Sequence, residues 1–165
     1  IWSFAPHDIS MILSLAGQDP EFIITKSTSI LQKNIADTAT IHMVFKSGLK
    51  SHISVSWLNL FKEVKLVVSG KSAMLVFDDT KPWNEKLALY PYEVVSSKEM
   101  INLKKSDVKY LEVPEEEPLK NECQHFIDVV EKDMQPQTDG AEGLRVIKVL
   151  SAASKSQTKN ETVKI

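Results

Sequence analysis

The sequence predicts an α+β fold of two layers, in which helices pack on one face of an open, mainly antiparallel sheet. Apolar residues recur with a period of about 3.6 near both ends of the chain, whereas between Thr38 and Tyr92 the period is two. Short turns that contain glycine separate the extended segments, so that consecutive strands return beside each other. Helices that cover one side of such a sheet make a two-layer domain.

The first predicted helix lies at the amino terminus and begins near the pair His7-Asp8. Its apolar residues recur on one face, namely Ile9, Ile12, Leu13 and Ala16. Gly17 is the residue type that most often ends a helix, and Pro20 follows closely. Residues 22–31, which are rich in Ile and Thr, then predict an extended segment.

Two hairpins follow, the first over residues 38–57 with a turn at Ser47-Gly48. One face of this hairpin is expected to meet the helices, and it carries Ile41, Met43, Ile53, Val55 and Trp57. The opposite face is left for solvent or a partner sheet, and it carries Thr40, His42, Ser54 and Ser56. The second hairpin covers residues 64–77, and residues 86–92 predict one more strand.

The remaining chain is predicted as a loop and two helices. Residues 93–114 lack a clear period and predict a loop with one short strand within 108–113. After Pro118 helical spacing returns, with a predicted buried stripe of Leu119, Cys123, Phe126, Ile127 and Val130. Thr138 or Asp139 is the expected N-cap of the last helix, whose stripe is Leu144, Val146, Ile147, Leu150 and Ala153. All 165 residues are assigned to one domain.

Composition excludes several classes of protein. The chain has 20 basic and 22 acidic residues and no basic stripe, so no nucleic-acid partner is expected. Cys123 is the only cysteine, which excludes an intrachain disulfide and a thiolate metal cluster. No apolar run approaches the roughly 18 residues that span a bilayer, and no signal peptide is visible. We therefore expect a cytoplasmic protein with no membrane partner.

Several enzyme signatures are absent from the sequence. The five glycines form neither a Gly-x-Gly-x-x-Gly loop nor a P-loop, so no phosphate cradle is predicted. The four histidines lack a metal-binding spacing, and no metal site is predicted. His42 and His52 fall in the strands of one hairpin, and we interpret them as ordinary strand residues.

The pair His7-Asp8 has two interpretations. In the structural one, Asp8 interacts with the positive end of the helix dipole and His7 packs beside it. In the functional one, His7 is a general acid or base, because imidazole exchanges protons near neutral pH. A base alone oxidises nothing, so this role also needs a hydride acceptor and a positioning cation, which the residues do not show.

Trp57 and Lys62 bracket a second block, "WLNLFK". An indole packed on the sheet and a solvated lysine explain it structurally. As a substrate-binding surface, an aromatic face and a cation would suit a sugar ring and its phosphate.

Five blocks carry a family resemblance in sequence order, namely "WSFAPHDISMILSLAG", "SWLNLFKEVKLVVSGKSAMLVFDD", "KLALYPY", "EPLKNECQHFID" and "PQTDGAEGLRVIKVLSAASKS". Together they resemble the carboxy-terminal domain of the Gfo/Idh/MocA oxidoreductases, the family of glucose-fructose oxidoreductase and inositol dehydrogenase. The "SWLNLFK" and "TDGAEGLRV" blocks are similar to those of members that act on nucleotide-linked sugars, such as UDP-N-acetylglucosaminuronate 3-dehydrogenases.

The resemblance implies an amino-terminal Rossmann domain that binds NAD or NADP and an open sheet that mediates homo-oligomers. It also implies that the histidine at position 7 faces the nicotinamide and the substrate as the acid/base. We therefore expect that the chain is a piece of a sugar or nucleotide-sugar dehydrogenase, inactive and free of cofactor by itself.

One position departs from the family. Many members carry Asp four residues before this histidine, where this chain has Ser3. A serine hydroxyl can hydrogen-bond to substrate or cap the helix, but it is not a carboxylate. An acid-base pair is therefore in doubt, and His7 is left to act alone. The alternative is a non-catalytic module that dimerises through its sheet.

Overall fold

The structure, a computed structural model, describes residues 1–96 and 101–165. In this part of the chain the α-helices are α1 (Ala5–Ala16), α2 (Pro118–Lys132) and α3 (Gly140–Lys159). The strands are β1 (Pro20–Thr28), β2 (Thr38–Phe45), β3 (Lys50–Ser56), β4 (Lys65–Ser69), β5 (Ala73–Asp78), β6 (Leu87–Ser96), β7 (Ile101–Lys105), β8 (Lys109–Leu111) and β9 (Val163–Lys164). The predicted α+β class is confirmed.

The chain divides into two compact units. Unit 1 combines residues 1–59 with residues 128–165, and unit 2 is residues 60–127. The strands divide between them, with the order β3-β2-β1-β9 in unit 1 and β4-β5-β6-β7 in unit 2, where β8 also pairs with β6. Every pairing between these strands is antiparallel, as predicted. The division into two sheets was not predicted.

The first hairpin has the predicted faces, except at Trp57, which was expected to meet the helices but follows the end of β3 and is 62% exposed. Ile41 lies opposite Ile53, and both side chains are buried. Thr40 lies opposite Ser54 on the other face, where Ser54 is exposed. This agreement follows from the period of two, because a slip of one residue would have moved the whole apolar set into solvent.

The core of unit 1 lies between its sheet and helices α1 and α3. Helix α3 packs on β1, and α1 packs on α3 and β3. The fully buried side chains include Ile9 and Leu13 of α1, Ile23 of β1, Met43 of β2 and Val149 of α3. The apolar face of α1 is therefore the one that the sequence predicted.

The ends of α1 and α3 follow the local sequence. Gly17 has a φ of 62° and donates its N–H to the carbonyl of Leu13, which ends α1 as predicted. At the start of α3, the carboxylate of Asp139 accepts a hydrogen bond of 2.9 Å from the N–H of Glu142. Asp139 is thus the N-cap, one of the two predicted residues.

The predicted loop at residues 93–114 is largely wrong. Strand β6 continues to Ser96, and β7 and β8 both pair with β6. The described side chains of β7 and β8 are all exposed. Because neither strand has a buried face, its apolar and polar residues do not alternate, and the sequence shows no period of two. These strands are held by backbone hydrogen bonds. Residues 97–100, which fell within the predicted loop, lie outside the described residues.

The predicted burial of α2 is also wrong. Cys123 is exposed, and no residue of α2 is buried. In the predicted stripe, Leu119, Phe126 and Val130 are each about two-thirds exposed. In α3 the predicted stripe is buried only at Leu150 and Ala153, while Leu144 and Ile147 are exposed. A helical period identifies an apolar face, but it does not say whether a partner for that face lies within the chain.

No helix in the described residues is long and apolar enough to cross a membrane.

Candidate functional site

Hydrogen bonds hold residues 1–4, which precede α1, against the rest of unit 1. The N–H of Ala5 donates to the carbonyl of Ile1 at 3.0 Å, which closes a turn. The indole Nε1 of Trp2 donates to the Oγ of Ser154 on α3 at 2.9 Å. Phe4 is the N-cap residue of α1 and no side chain caps this end, so Ser3, which is exposed, does not have the capping role considered for it.

His7 is the third residue of α1 and its side chain is exposed. Ile9, two positions further on, is fully buried against the core, so that His7 lies on the solvent side of the same helical turn. An exposed imidazole on the first turn of a rigid helix can exchange a proton with a molecule that approaches this end of unit 1.

Asp8 lies beside His7 and is partly buried. Burial raises the pKa of its carboxyl group, because desolvation disfavours the charged form, and the positive charge of the neighbouring His7 opposes this effect more weakly. Asp8 also lies in the first turn of α1, as the structural interpretation of the pair requires. The position of Asp8 therefore does not decide between the two interpretations of His7.

Trp57 lies at the same end of α1, because its ring contacts Phe4. The two ring centroids are 4.4 Å apart and the ring planes are inclined by 65°, an edge-to-face arrangement. Trp57 remains 62% exposed, so much of its ring is available to a ligand. The structure thus places Ser3, His7 and Trp57 around the amino end of α1. The contact between Phe4 and Trp57 was not predicted, because the two residues lie far apart in the sequence.

Asp37 holds the backbone next to Trp57, a role that was not predicted from the sequence. It is buried, and its Oδ2 accepts hydrogen bonds from the N–H groups of Ile30 at 2.6 Å and Leu31 at 2.8 Å. Its carbonyl oxygen accepts the N–H of Trp57 at 2.9 Å. Asp37 therefore connects the loop before β2 to the backbone of Trp57.

A shallow recess borders Trp57. Its lining includes Ile1, Phe4, Asp37, Val55 and Ser56. The enclosed space is too small for a water molecule, so a ligand at this end of unit 1 would lie on the surface rather than within a pocket.

Lys62 belongs to unit 2, and its ammonium group is engaged in an ion pair. Its Nζ lies 2.6 Å from Oδ2 of Asp79, and the Nζ of Lys86 lies 2.7 Å from Oδ1 of the same carboxylate. Hydrogen bonds from Lys62 and Lys86, in that order of importance, lower the pKa of Asp79 to about 2. An anionic ligand of Lys62 would therefore compete with Asp79.

The lowered pKa of Asp79 gives a stability that depends on pH. The contribution is present above the ordinary value of 3.8 and is lost as the pH falls toward about 2. Because the Asp79 side chain is 31% exposed, we expect a contribution below about 1 kcal/mol after solvent screening. Thermal melts of Asp79→Asn should lie below those of the wild type at pH 6 and converge with them near pH 2. Glu63→Gln, at an exposed carboxylate nearby, is the control, and an equal pH-dependent difference in that variant would contradict the assignment.

Within the described residues no group of three or more His, Cys, Asp or Glu side chains is arranged to hold a metal ion. The sequence contains no glycine-rich phosphate loop, and the amino end of α3 is already capped by the Asp139 carboxylate, which would repel a phosphate.

Comparison with solved structures shows where this fold occurs. UDP-N-acetylglucosamine 3-dehydrogenase GnnA from Acidithiobacillus ferrooxidans is similar over 94% of this chain and 46% of its own, with a TM-score of 0.76 and 16% identity. The WlbA dehydrogenase from Bordetella pertussis, solved with NADH and UDP-GlcNAcA, is similar over 98% and 43%, with a TM-score of 0.67 and 18% identity. An NAD-binding protein from Listeria innocua is similar over 99% and 50%, with a TM-score of 0.71 and 17% identity.

The chain spans about half the length of these structures. Its fold is similar to that of about half of each of these longer chains. The family model described as the GFO/IDH/MocA C-terminal domain matches residues 1–76. This match confirms, over residues 1–76, the resemblance to the Gfo/Idh/MocA family that the sequence showed. No curated protein matches the chain.

Proposed function

We propose that this chain is the carboxy-terminal domain of an NAD(P)-dependent oxidoreductase that acts on a hydroxyl group of a sugar or nucleotide sugar. The observation that carries the proposal is the exposed His7 on the first turn of α1, within the residues that the GFO/IDH/MocA C-terminal domain model matches. GnnA, whose fold is similar, is named a UDP-N-acetylglucosamine 3-dehydrogenase. The WlbA dehydrogenase, whose fold is also similar, was solved with NADH and UDP-GlcNAcA. Turnover by the His7→Asn variant of the full-length protein tests the assignment.

His7 is proposed to hold the proton that leaves the substrate. Oxidation of a secondary hydroxyl removes a hydride from carbon and a proton from oxygen. The nicotinamide, held by the rest of the protein, supplies the hydride acceptor. The imidazole of His7 receives the hydroxyl proton and passes it to solvent, to which its side chain is exposed.

The substrate is proposed to lie across the amino end of α1. The exposed ring of Trp57, supported by Phe4, offers an apolar face to a sugar ring. The exposed Ser3 hydroxyl can donate or accept a hydrogen bond from a substrate hydroxyl. Lys62, which belongs to unit 2, is proposed separately as a substrate-binding cation for a phosphate group, with an affinity that the Asp79 ion pair reduces. Asp79→Asn is therefore expected to strengthen phosphate binding where Lys62→Ala weakens it.

We predict that the 165-residue chain by itself binds neither NAD nor NADP, because its residues provide no phosphate cradle. Titration calorimetry with each cofactor is the measurement, and the full-length protein is the matched positive control. Micromolar binding of either cofactor to the chain alone would contradict the proposal that the rest of the protein holds the cofactor.

The open face of the unit 1 sheet is proposed to mediate self-association of a cytoplasmic protein. Ser54 is exposed on this face, and Ser54→Lys is expected to weaken a dimer, because it adds a cation to a face that already carries Lys26 and Lys50. Ser151→Lys, on an exposed position of α3, is the matched control. Sedimentation velocity across a concentration series measures the effect, and a monomer at every concentration would exclude the interface.

A second candidate function is a non-catalytic module that dimerises through this sheet face. It is favoured by one observation, the exposed Ser3 where many family members carry Asp. A full-length sequence without a Gly-x-Gly-x-x-Gly loop after a strand would support the module over the enzyme.

A further inference from the structure

The open face of the unit 1 sheet carries two histidines that the fold brings together. The pairing of β2 with β3 places His42 directly opposite His52. Both side chains are exposed, the ring centroids are 6.2 Å apart and the ring planes are inclined by 35°. The two lie ten positions apart in the sequence, at no recognised metal spacing, so the pair becomes visible only in the paired strands.

We propose that His42 and His52 form a two-imidazole site for a divalent transition-metal ion, with Zn²⁺ as the representative ion. With a Zn–N bond of about 2.0–2.1 Å, the ion lies about 3.2 Å from the centroid of each ring. Two rings that share one ion therefore have centroids at most about 6.4 Å apart, and about 5 Å apart at a tetrahedral angle. The observed separation lies within this limit.

Side-chain rotation is enough to close the remaining distance. The Cβ atoms of directly opposed residues in an antiparallel pair are about 4.5–5.5 Å apart, so the strands need not move. The exposed imidazoles are not packed in a core that would resist rotation. The hairpin is closed by a tight turn, in which the N–H of Gly48 donates to the carbonyl of Phe45 at 3.0 Å. The backbone of the site is therefore ordered before the metal arrives.

The surroundings select the class of ion. The side chains that β1, β2 and β3 place on this face include Lys26 and Lys50 but no carboxylate. Calcium and magnesium prefer oxygen ligands, so this face does not suit them. Imidazole ligands suit Zn²⁺, Cu²⁺ and Ni²⁺. In the chain that is not self-associated, two protein ligands leave further positions of the ion open to water.

Titration calorimetry of the 165-residue chain with ZnCl₂ tests the proposal. We expect one Zn²⁺ per chain. We also expect at least about a tenfold loss of affinity in His42→Asn and in His52→Asn, because each variant removes a direct ligand. His125→Asn, which changes a histidine of α2, is the matched control and should bind as the wild type does. Equal affinity in the His42→Asn/His52→Asn double variant, or no binding by the wild type at millimolar Zn²⁺, would overturn the proposal.

A second measurement does not depend on the variants. Spectra that correlate proton and nitrogen resonances of the histidine rings, recorded on the wild-type chain during the titration, should show shifts for His42 and His52 together. Shifts confined to His7 or His125 would overturn the proposal. Circular dichroism of each variant checks that the hairpin remains folded.

Discussion

His7→Asn in the full-length protein is expected to lower kcat by about 10²–10⁴-fold on the true substrate, the effect of losing a general base. An asparagine amide keeps the polar character and approximate size of the side chain, but it cannot receive a proton near neutral pH. Since the His7 side chain is exposed, the change should leave the melting temperature and the cofactor affinity as they are in the wild type.

The control for this experiment is His125→Asn, which removes another imidazole and lies outside the proposed site. Unchanged turnover in His7→Asn would contradict the acid/base assignment and favour the structural interpretation of the His7-Asp8 pair. A fall in kcat that is accompanied by an equal loss of cofactor affinity would point instead to a defect in binding.

Ser3→Asp separates the enzyme from the non-catalytic module. This change restores the carboxylate that many family members carry four residues before the histidine. If His7 acts alone, we expect kcat of Ser3→Asp to be equal to or higher than that of the wild type. A variant that gains activity from an inactive wild type would show that the natural chain lost its chemistry at this position.

Asp37→Ala is expected to lower the free energy of unfolding by about 1.5–3 kcal/mol, the usual cost of losing hydrogen bonds to a charged group. The variant leaves the N–H groups of Ile30 and Leu31, which both donate to Oδ2, without this acceptor. Asp37→Asn is the matched variant and should lose less, because its amide oxygen can still accept. Urea unfolding measures the difference, and wild-type stability in Asp37→Ala would exclude the role assigned to this carboxylate.

The same variant tests whether Asp37 positions Trp57. Its backbone carbonyl accepts the N–H of Trp57, so loss of order in the preceding loop should displace the indole. In the full-length protein we expect Asp37→Ala to raise KM more than it lowers kcat, because Trp57 is proposed to bind substrate and not to take part in proton transfer. The Trp57 indole resonance should shift in Asp37→Ala and much less in Asp37→Asn.

The sequence by itself determined the elements whose signals are local. The start of α1 near His7 and its end at Gly17 depend on residues within a few positions of each other. The faces of the first hairpin follow from strict alternation, which assigns Ile41 and Ile53 to the apolar face. The family resemblance was recognised in the same way, from blocks that are each continuous in the sequence.

Only the tertiary structure decided which distant residues meet. Phe4 contacts Trp57, and β9 pairs with β1, through neighbours that no local pattern specifies. The exposure of Cys123 was decided in the same way, because a helical stripe is equally apolar with or without a partner. Periodicity reports how a segment divides its own residues between faces, whereas the contact made by each face depends on chain closure over many residues. For this reason Phe4 and Trp57 meet at the amino end of α1 only in the folded domain.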